Sequence, residues 1–319
     1  MNIRRLGIIL EPTSLAFEKN GVLNPGCIEK NGALHMLYRA VDKMDRSSIG
    51  YCRLIDNKVV ERLPYPVLFP QYDYERQGIE DPRIVYFEGI YYVFYTAYDG
   101  TNAIVAYATS FDLVEFKKQG ILTPQIPYTQ TAYGVGPGTF LWEKDAFIFP
   151  KRINGKIAFM HRILPGIQIM YADSFADFNE ERWQTYLKEC KKFTVLQPTY
   201  QFEMPKIGGG CAPIETPHGW LLIYHAVEQS SRGRRYHAAA ALLDLNNPFH
   251  VLGRLPYPLF SPQEPWEFRA PNDGIVFPSG ASAMGNTLTI FYGAADTRIG
   301  AVQISIDSLV TELLSTKLA

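Results

Sequence analysis

Apolar and polar positions alternate along this chain in short runs, and the runs recur. Five times a glycine turn is followed by alternating aromatic and aliphatic residues that end in a polar one. The copies are Gly32-ALHMLYRA, Gly89-IYYVFYTAYD, Gly155-KIAFMHRI, Gly219-WLLIYHAV and Gly285-NTLTIFYGAAD, spaced 57 to 66 residues apart. Alternation with a period of two marks a half-buried strand. Five to seven residues before each glycine a proline opens a short apolar stretch: Pro25, Pro82, Pro150, Pro213 and Pro278. After most copies a second alternating run follows, such as SSIGYCRL or IGAVQISI. A fixed period of this length, with three or more strands per unit, predicts radial repetition. The expected fold is all-β: a single five-bladed β-propeller domain over residues 1–319. Two segments depart from the alternation. NEERWQTYLKECKKF predicts a short helix between units. The tail DSLVTELLSTKL, with Leu309, Leu313, Leu314 and Leu318 at helical spacing, predicts a short C-terminal helix on the edge.

In a propeller blade the first strand lies nearest the axis and a hairpin returns the second beside it. The start of the first strand and the end of the second therefore share one face. That placement gathers Asn24, Asp81, Lys206 and Phe277 with Arg39, Tyr95, Arg162, His225 and Asp296 around one mouth. Apolar strands that end in charged residues around one cavity describe a small-molecule site.

Composition narrows the classes. With 47% hydrophobic residues the chain can bury a large core, and a net charge of −1 gives no field that favours nucleic acid or anionic membrane. No window approaches transmembrane length, and the apolar stretch near the N-terminus is too short for a signal segment. Four scattered cysteines without a C-x-x-C pair suggest neither zinc nor a disulfide framework. A reducing cytoplasm is the simplest location. The histidines show no metal-ligand spacing, so no metal and no cofactor are expected. The oligomeric state is left open, a homo-oligomer included.

Two constellations carry chemistry. In Gly78-Ile79-Glu80-Asp81-Pro82-Arg83 a carboxylate precedes a proline, which predicts an extended Asp81 looking into the mouth, with Arg83 bracing a neighbouring unit. So placed, Asp81 can serve as a general acid; the alternative is a turn cap. The second constellation is cationic: Arg162, Lys206 in Pro205-Lys206-Ile207-Gly208-Gly209-Gly210, and His225. Crowded donors without carboxylate partners would be relieved by an anion, with phosphate the obvious candidate. The alternative is salt bridging to Glu203 or Glu215. Tyr236 is a further hydrogen-bond donor toward the cavity, and the glycine run could let backbone approach a ligand.

Taken in order from about residue 20 to 305, these motifs resemble glycoside hydrolase family 130. The matching segments include Asn24-Pro25, Leu37-Tyr38-Arg39-Ala40, Glu80-Asp81-Pro82-Arg83, His161-Arg162, Lys206-Ile207-Gly208, Tyr224-His225 and Tyr292-Gly293-Ala294-Ala295-Asp296. The resemblance implies a five-bladed propeller acting on β-mannosides, in most members as a phosphate-dependent phosphorylase and in a minority as a β-1,2-mannosidase. It implies that Asp81 is the sole catalytic acid, protonating the glycosidic oxygen through the mannose 3-hydroxyl. Arg162, Lys206, His225 and Tyr236 would hold phosphate. Asn24, Arg39, Arg46, Ser48 and Asp296 would grip the mannosyl unit at the cleavage point. The hydrolytic branch carries glutamates where this chain has Arg162 and Lys206, which favours the phosphorylase. The expected partners are thus a β-mannoside oligosaccharide, most readily β-1,2-linked, and inorganic phosphate as co-substrate, with α-mannose 1-phosphate as product. The rivals are a β-1,2-mannosidase of the same fold and a non-catalytic sugar-binding propeller.

Overall fold

A computed structural model describes residues 1–123, 142–231 and 233–316. The alternating runs form strands, and the strands pair into five antiparallel units taken in chain order. The first pairs Gly21–Lys30, Ala33–Val41, Ser47–Ile55 and Lys58–Arg62. The second pairs Gly78–Phe87, Ile90–Tyr98, Ala103–Ser110 and Lys117–Ile121. The third pairs Lys144–Ile148, Ile157–Arg162, Ile167–Ala172 and Thr194–Leu196. The fourth pairs Pro205–Gly209 and Ile214–Thr216 with Gly219–Ser230, then Gly233–Leu243 and Val251–Arg254. The fifth pairs Asp273–Met284, Thr287–Ala294 and Arg298–Ser305, and its last partner is Arg4–Leu10 from the other end of the chain. Two helices of at least two turns accompany them among the described residues: α1 (Glu180–Lys188), inside the segment expected to be helical, and α2 (Ile306–Ser315). Asn179 and Ser305 cap them, each accepting from the backbone N–H three residues on. Leu309 and Leu313 are buried as predicted. Leu314 is exposed, because it falls on the outer side of the helix, and Leu318 lies outside the described residues.

The first strands of the units touch one another in chain order, and glycines permit the approach. A side chain at Gly26 would stand 2.5 Å from the Pro82 carbonyl, one at Gly210 2.7 Å from that of Pro278, and one at Gly280 2.8 Å from that of Pro25. Gly209 lies against Phe147, and Arg83 binds Asp145. The contacts thus pass from each first strand to the next, and from the fifth to the first.

Each unit but the third is clamped by one repeated device that the sequence reading missed. A short helical turn before the first strand carries a fully buried glutamate: Glu18, Glu75, Glu203 and Glu267. Each accepts a tyrosine hydroxyl from the second strand (Tyr38, Tyr95, Tyr224, Tyr292) at 2.6 to 2.9 Å. Each also pairs with a cation from the outermost strand: Arg62, Lys118, Arg254 and Arg5. Backbone amides complete the shell at Glu203, from Thr199 and Tyr200. Four buried charges are thereby compensated, as burial requires. Tyr95, expected at the mouth, spends its hydroxyl here. Glu203, considered as a partner of the cationic cluster, is likewise engaged here, and Glu215 pairs with Lys151 instead. In the third unit His161 replaces the tyrosine and contacts Glu143 and Tyr186.

Removing one partner of such a clamp leaves a buried charge alone, which costs about 3–5 kcal/mol. Glu203→Gln is therefore expected to lower Tm by roughly 5–10 °C. A thermal melt within 2 °C of the parent would contradict the role.

Candidate active site

Three first strands carry a bulge at the same place, where the pairing register slips between Leu23 and Gly26, Glu80 and Arg83, and Lys144 and Phe147. The bulged residues Asn24, Asp81 and Asp145 have φ of 46°, 54° and 60°. Asp81 is thus left-handed, not extended as its proline suggested. Pro82 disfavours the right-handed helical region, and asparagine and aspartate tolerate the left-handed one. The bulge turns these side chains out of the strand pleat, and all three are buried.

The acid end of the site is built around Asp81. Asn24 Nδ2 donates to its Oδ1 at 2.8 Å, and Arg39 Nη1 stands 3.6 Å from the same oxygen. Arg39 also binds Glu80 at 2.9 Å and Ser47 Oγ at 2.8 Å. Glu80 in turn holds Lys144 at 3.1 Å. Burial alone would raise the Glu80 carboxyl, but Arg39 and Lys144 prevail and bring it below its ordinary value. Glu80 and Lys144 were not anticipated as members of the site; their signal was adjacency to Asp81 and Asp145.

Arg83 joins this end to the cationic one. Fully enclosed, it donates to the carbonyls of Asp81, Gly209 and Gly210 at 2.8 to 3.0 Å and to Asp145 Oδ1 at 2.9 Å. The expected bracing of a neighbouring unit is what the structure has. Asp145 Oδ2 lies 3.2 Å from Arg162 Nη1 and 3.8 Å from His225 Nε2. The cluster therefore contains a carboxylate that the sequence reading lacked. The proline repeat points to Pro150, but the first strand of the third unit is Lys144–Ile148, so the counterpart of Asp81 is Asp145. Burial would raise the Asp145 carboxyl; Arg162, His225, Arg83 and Lys144 overcome this and hold it well below the usual carboxylate range.

His225 is not a cation. Burial lowers its imidazole to about 3, with Asp145 opposing and Arg162, Arg83 and Lys206 adding, so the ring is neutral near pH 7. Burial, reinforced by Arg162, also lowers the Lys206 ammonium, to about 8. Lys206 has no carboxylate within salt-bridge distance among the described residues. Two guanidiniums share one carboxylate here, so positive charge remains in excess. Among the described residues, Arg162 Nε and His225 Nδ1 are buried without a hydrogen-bond partner. Unmet buried polar atoms are costly unless a ligand takes them up.

The His225 ring packs at a tilt 4.4 Å from Phe277, and Tyr236 flanks both at 6.2 and 6.3 Å. The glycine run serves protein packing rather than ligand approach: a side chain at Gly208 would stand 2.6 Å from Asp145 Oδ2. Of the remaining candidates, Asp296 binds Arg269 at 2.8 Å with its side chain 42% exposed, at the rim. Ser48 is buried opposite Ala40. Arg46 is exposed and pairs with Asp42 at 3.2 Å. No group of three or more potential metal ligands occurs among the described residues.

Comparisons with known proteins bear on this arrangement. The family profile described as beta-1,4-mannooligosaccharide phosphorylase matches residues 9–314. The chain is 31% identical over 304 residues to a 1,2-beta-oligomannan phosphorylase of Thermoanaerobacter sp., covering 92% of this chain and 93% of that protein. It is 30% identical over 278 residues to a beta-1,2-mannobiose phosphorylase of Listeria innocua, covering 85% of this chain and 68% of that one. The solved complex of a Listeria innocua beta-1,2-mannobiose phosphorylase with beta-1,2-mannobiose superposes with a TM-score of 0.75 at 25% identity, over 98% of this chain and 99% of that one.

Proposed function

Since the chain belongs to glycoside hydrolase family 130, we propose that it is a β-mannoside phosphorylase acting on β-1,2-manno-oligosaccharides. The observation that carries the reading is the positive charge of Arg162 and Lys206 beside Arg162 Nε and His225 Nδ1, which have no partner among the described residues, joined through Arg83 to Asp81. An inverting glycosidase needs a base to activate water. Phosphate is already an anion and needs none. Asp145, 3% exposed between two guanidiniums, is not placed to take a proton from water. In the proposed reaction a phosphate oxygen attacks the anomeric carbon from the face opposite the leaving group. The glycosidic C–O bond breaks as Asp81 supplies the proton, giving α-mannose 1-phosphate and an oligosaccharide one unit shorter. Arg162, Lys206, His225 and Tyr236 position the nucleophile. Asn24, Arg39, Arg46, Ser48 and Asp296 hold the mannosyl unit.

The five antiparallel units, with first strands that touch in cyclic order, support one five-bladed propeller domain. Four free cysteines support a reducing cytoplasm, and among the described residues no helix is long and apolar enough to cross a membrane. The deciding assay incubates the protein with β-1,2-mannobiose with and without phosphate. Phosphate-dependent release of α-mannose 1-phosphate is expected. Turnover to free mannose that is indifferent to phosphate would refute the reading.

The depressed Lys206 value adds a pH dependence. Below about 8 the ammonium is charged and contributes to anion binding; above it the charge is lost. The kcat/KM for phosphate should therefore fall as pH rises beyond about 8. Lys206→Arg, which stays protonated, should flatten that limb. A parallel decline in both proteins would assign the limb to another group.

A further inference from the structure

We propose that Asp145 is a positioning residue for the phosphate nucleophile: its carboxylate, shared between Arg83 and Arg162, fixes the geometry of the cradle and sets its charge. The inference rests on the phosphorylase reading above. Asp145 occupies the same left-handed bulge position as Asn24 and Asp81, one unit further along the chain. Where Asn24 and Asp81 bind each other, Asp145 turns to cations. Oδ1 receives Arg83 Nη2 at 2.9 Å, and Oδ2 faces Arg162 Nη1 at 3.2 Å. It thereby engages one Arg162 amine and leaves Nε without a partner among the described residues. Arg83, anchored on Asp145, reaches the backbone of Asp81 at 3.0 Å and the carbonyls of Gly209 and Gly210, at the end of the strand that bears Lys206. One buried ion pair therefore ties the acid to the cradle across two unit boundaries.

The charge balance points the same way. Arg83, Arg162 and Lys206 are three cations, His225 is neutral, and Asp145 removes one charge. The positive charge that remains suits a phosphate anion. Without Asp145, the guanidiniums of Arg83 and Arg162 would repel and the cradle would open. The fit of the Lys206 strand against this carboxylate, which only a glycine at 208 allows, makes the placement specific.

The test varies phosphate and β-1,2-mannobiose separately for the parent, Asp145→Asn and Asp145→Glu, and reads mannobiose affinity by calorimetry without phosphate. Asp145→Asn is expected to raise the phosphate KM at least tenfold and to leave mannobiose affinity within twofold. Asp145→Glu, which keeps the charge one methylene further out, should recover part of that loss. An unchanged phosphate KM in a folded Asp145→Asn protein, or a parallel loss of mannobiose affinity, overturns the proposal. Should Asp145→Asn fail to fold, Asp145→Glu decides: a phosphate KM at least threefold above the parent, with mannobiose affinity retained, supports it, and a parent-like value overturns it. A parent that cleaves mannobiose equally well without phosphate overturns the phosphorylase reading and this proposal together. A phosphate-dependent parent with indifferent variants overturns this proposal alone.

Discussion

Asp81→Asn should lower kcat for phosphorolysis by about 10²–10⁴-fold, the range that a positioned general acid supplies, while β-1,2-mannobiose still binds within a fewfold of the parent. The substitution preserves shape. The side-chain oxygen that accepts from Asn24 can remain in place, and Arg39 keeps its stronger partners Glu80 and Ser47. What disappears is a transferable proton. Single-turnover kinetics with saturating phosphate, paired with calorimetric sugar binding, separates this outcome from a general disturbance. Substantial residual turnover would mean that the proton comes from elsewhere. Turnover absent from the parent on every mannoside, with sugar still bound, would favour a binding protein.

Reversing charge in the cradle should be as severe, but in a different parameter. Lys206→Glu is expected to raise the phosphate KM by roughly 10²–10³-fold. A unit charge about 4 Å from an anion contributes about 4 kcal/mol at an effective dielectric of 20. Lys206 is the cleaner site, because no carboxylate partner among the described residues is orphaned by its loss. Arg162→Glu would set a second carboxylate against Asp145, 3.2 Å from the present guanidinium nitrogen, and should abolish phosphate saturation. Mannobiose affinity measured without phosphate is the control. Unchanged phosphate saturation in either variant would remove that residue from the anion site.

The strand pattern was legible because a period of two survives in every unit: the five glycine turns fall between first and second strands as read. The acid end was legible for a different reason. Asn24-Pro25 and Asp81-Pro82 share a local signature, and the bulge brings them together at 2.8 Å. The third unit hid its counterpart. Asp145 is followed by Ala146 rather than proline, so the repeat points to Pro150 and away from the carboxylate inside the cationic cluster. The neutral state of His225 was equally out of reach, since it depends on burial by Phe277 and on surrounding guanidiniums. The glutamate clamps had a faint trace, Glu18 and Glu75 each standing three residues before a strand-opening glycine. Their meaning lies in tyrosines 20 to 25 residues away and in cations further off, as far as Arg5 from Glu267, which no local pattern connects.

The pairing of Arg4–Leu10 with Arg298–Ser305 has a consequence for biogenesis. Arg4–Leu10 is made nearly three hundred residues ahead of the strand it pairs with. Until then the fifth unit lacks an edge, and Glu267 lacks the arginine that neutralises it. A nascent chain can assemble its other units as they emerge, yet the fifth becomes whole only when these two distant strands have both been made and meet. That final annealing is long in sequence separation and hence slow. It makes residues 4–10 a poor place for any change that would hold this strand away from its partner.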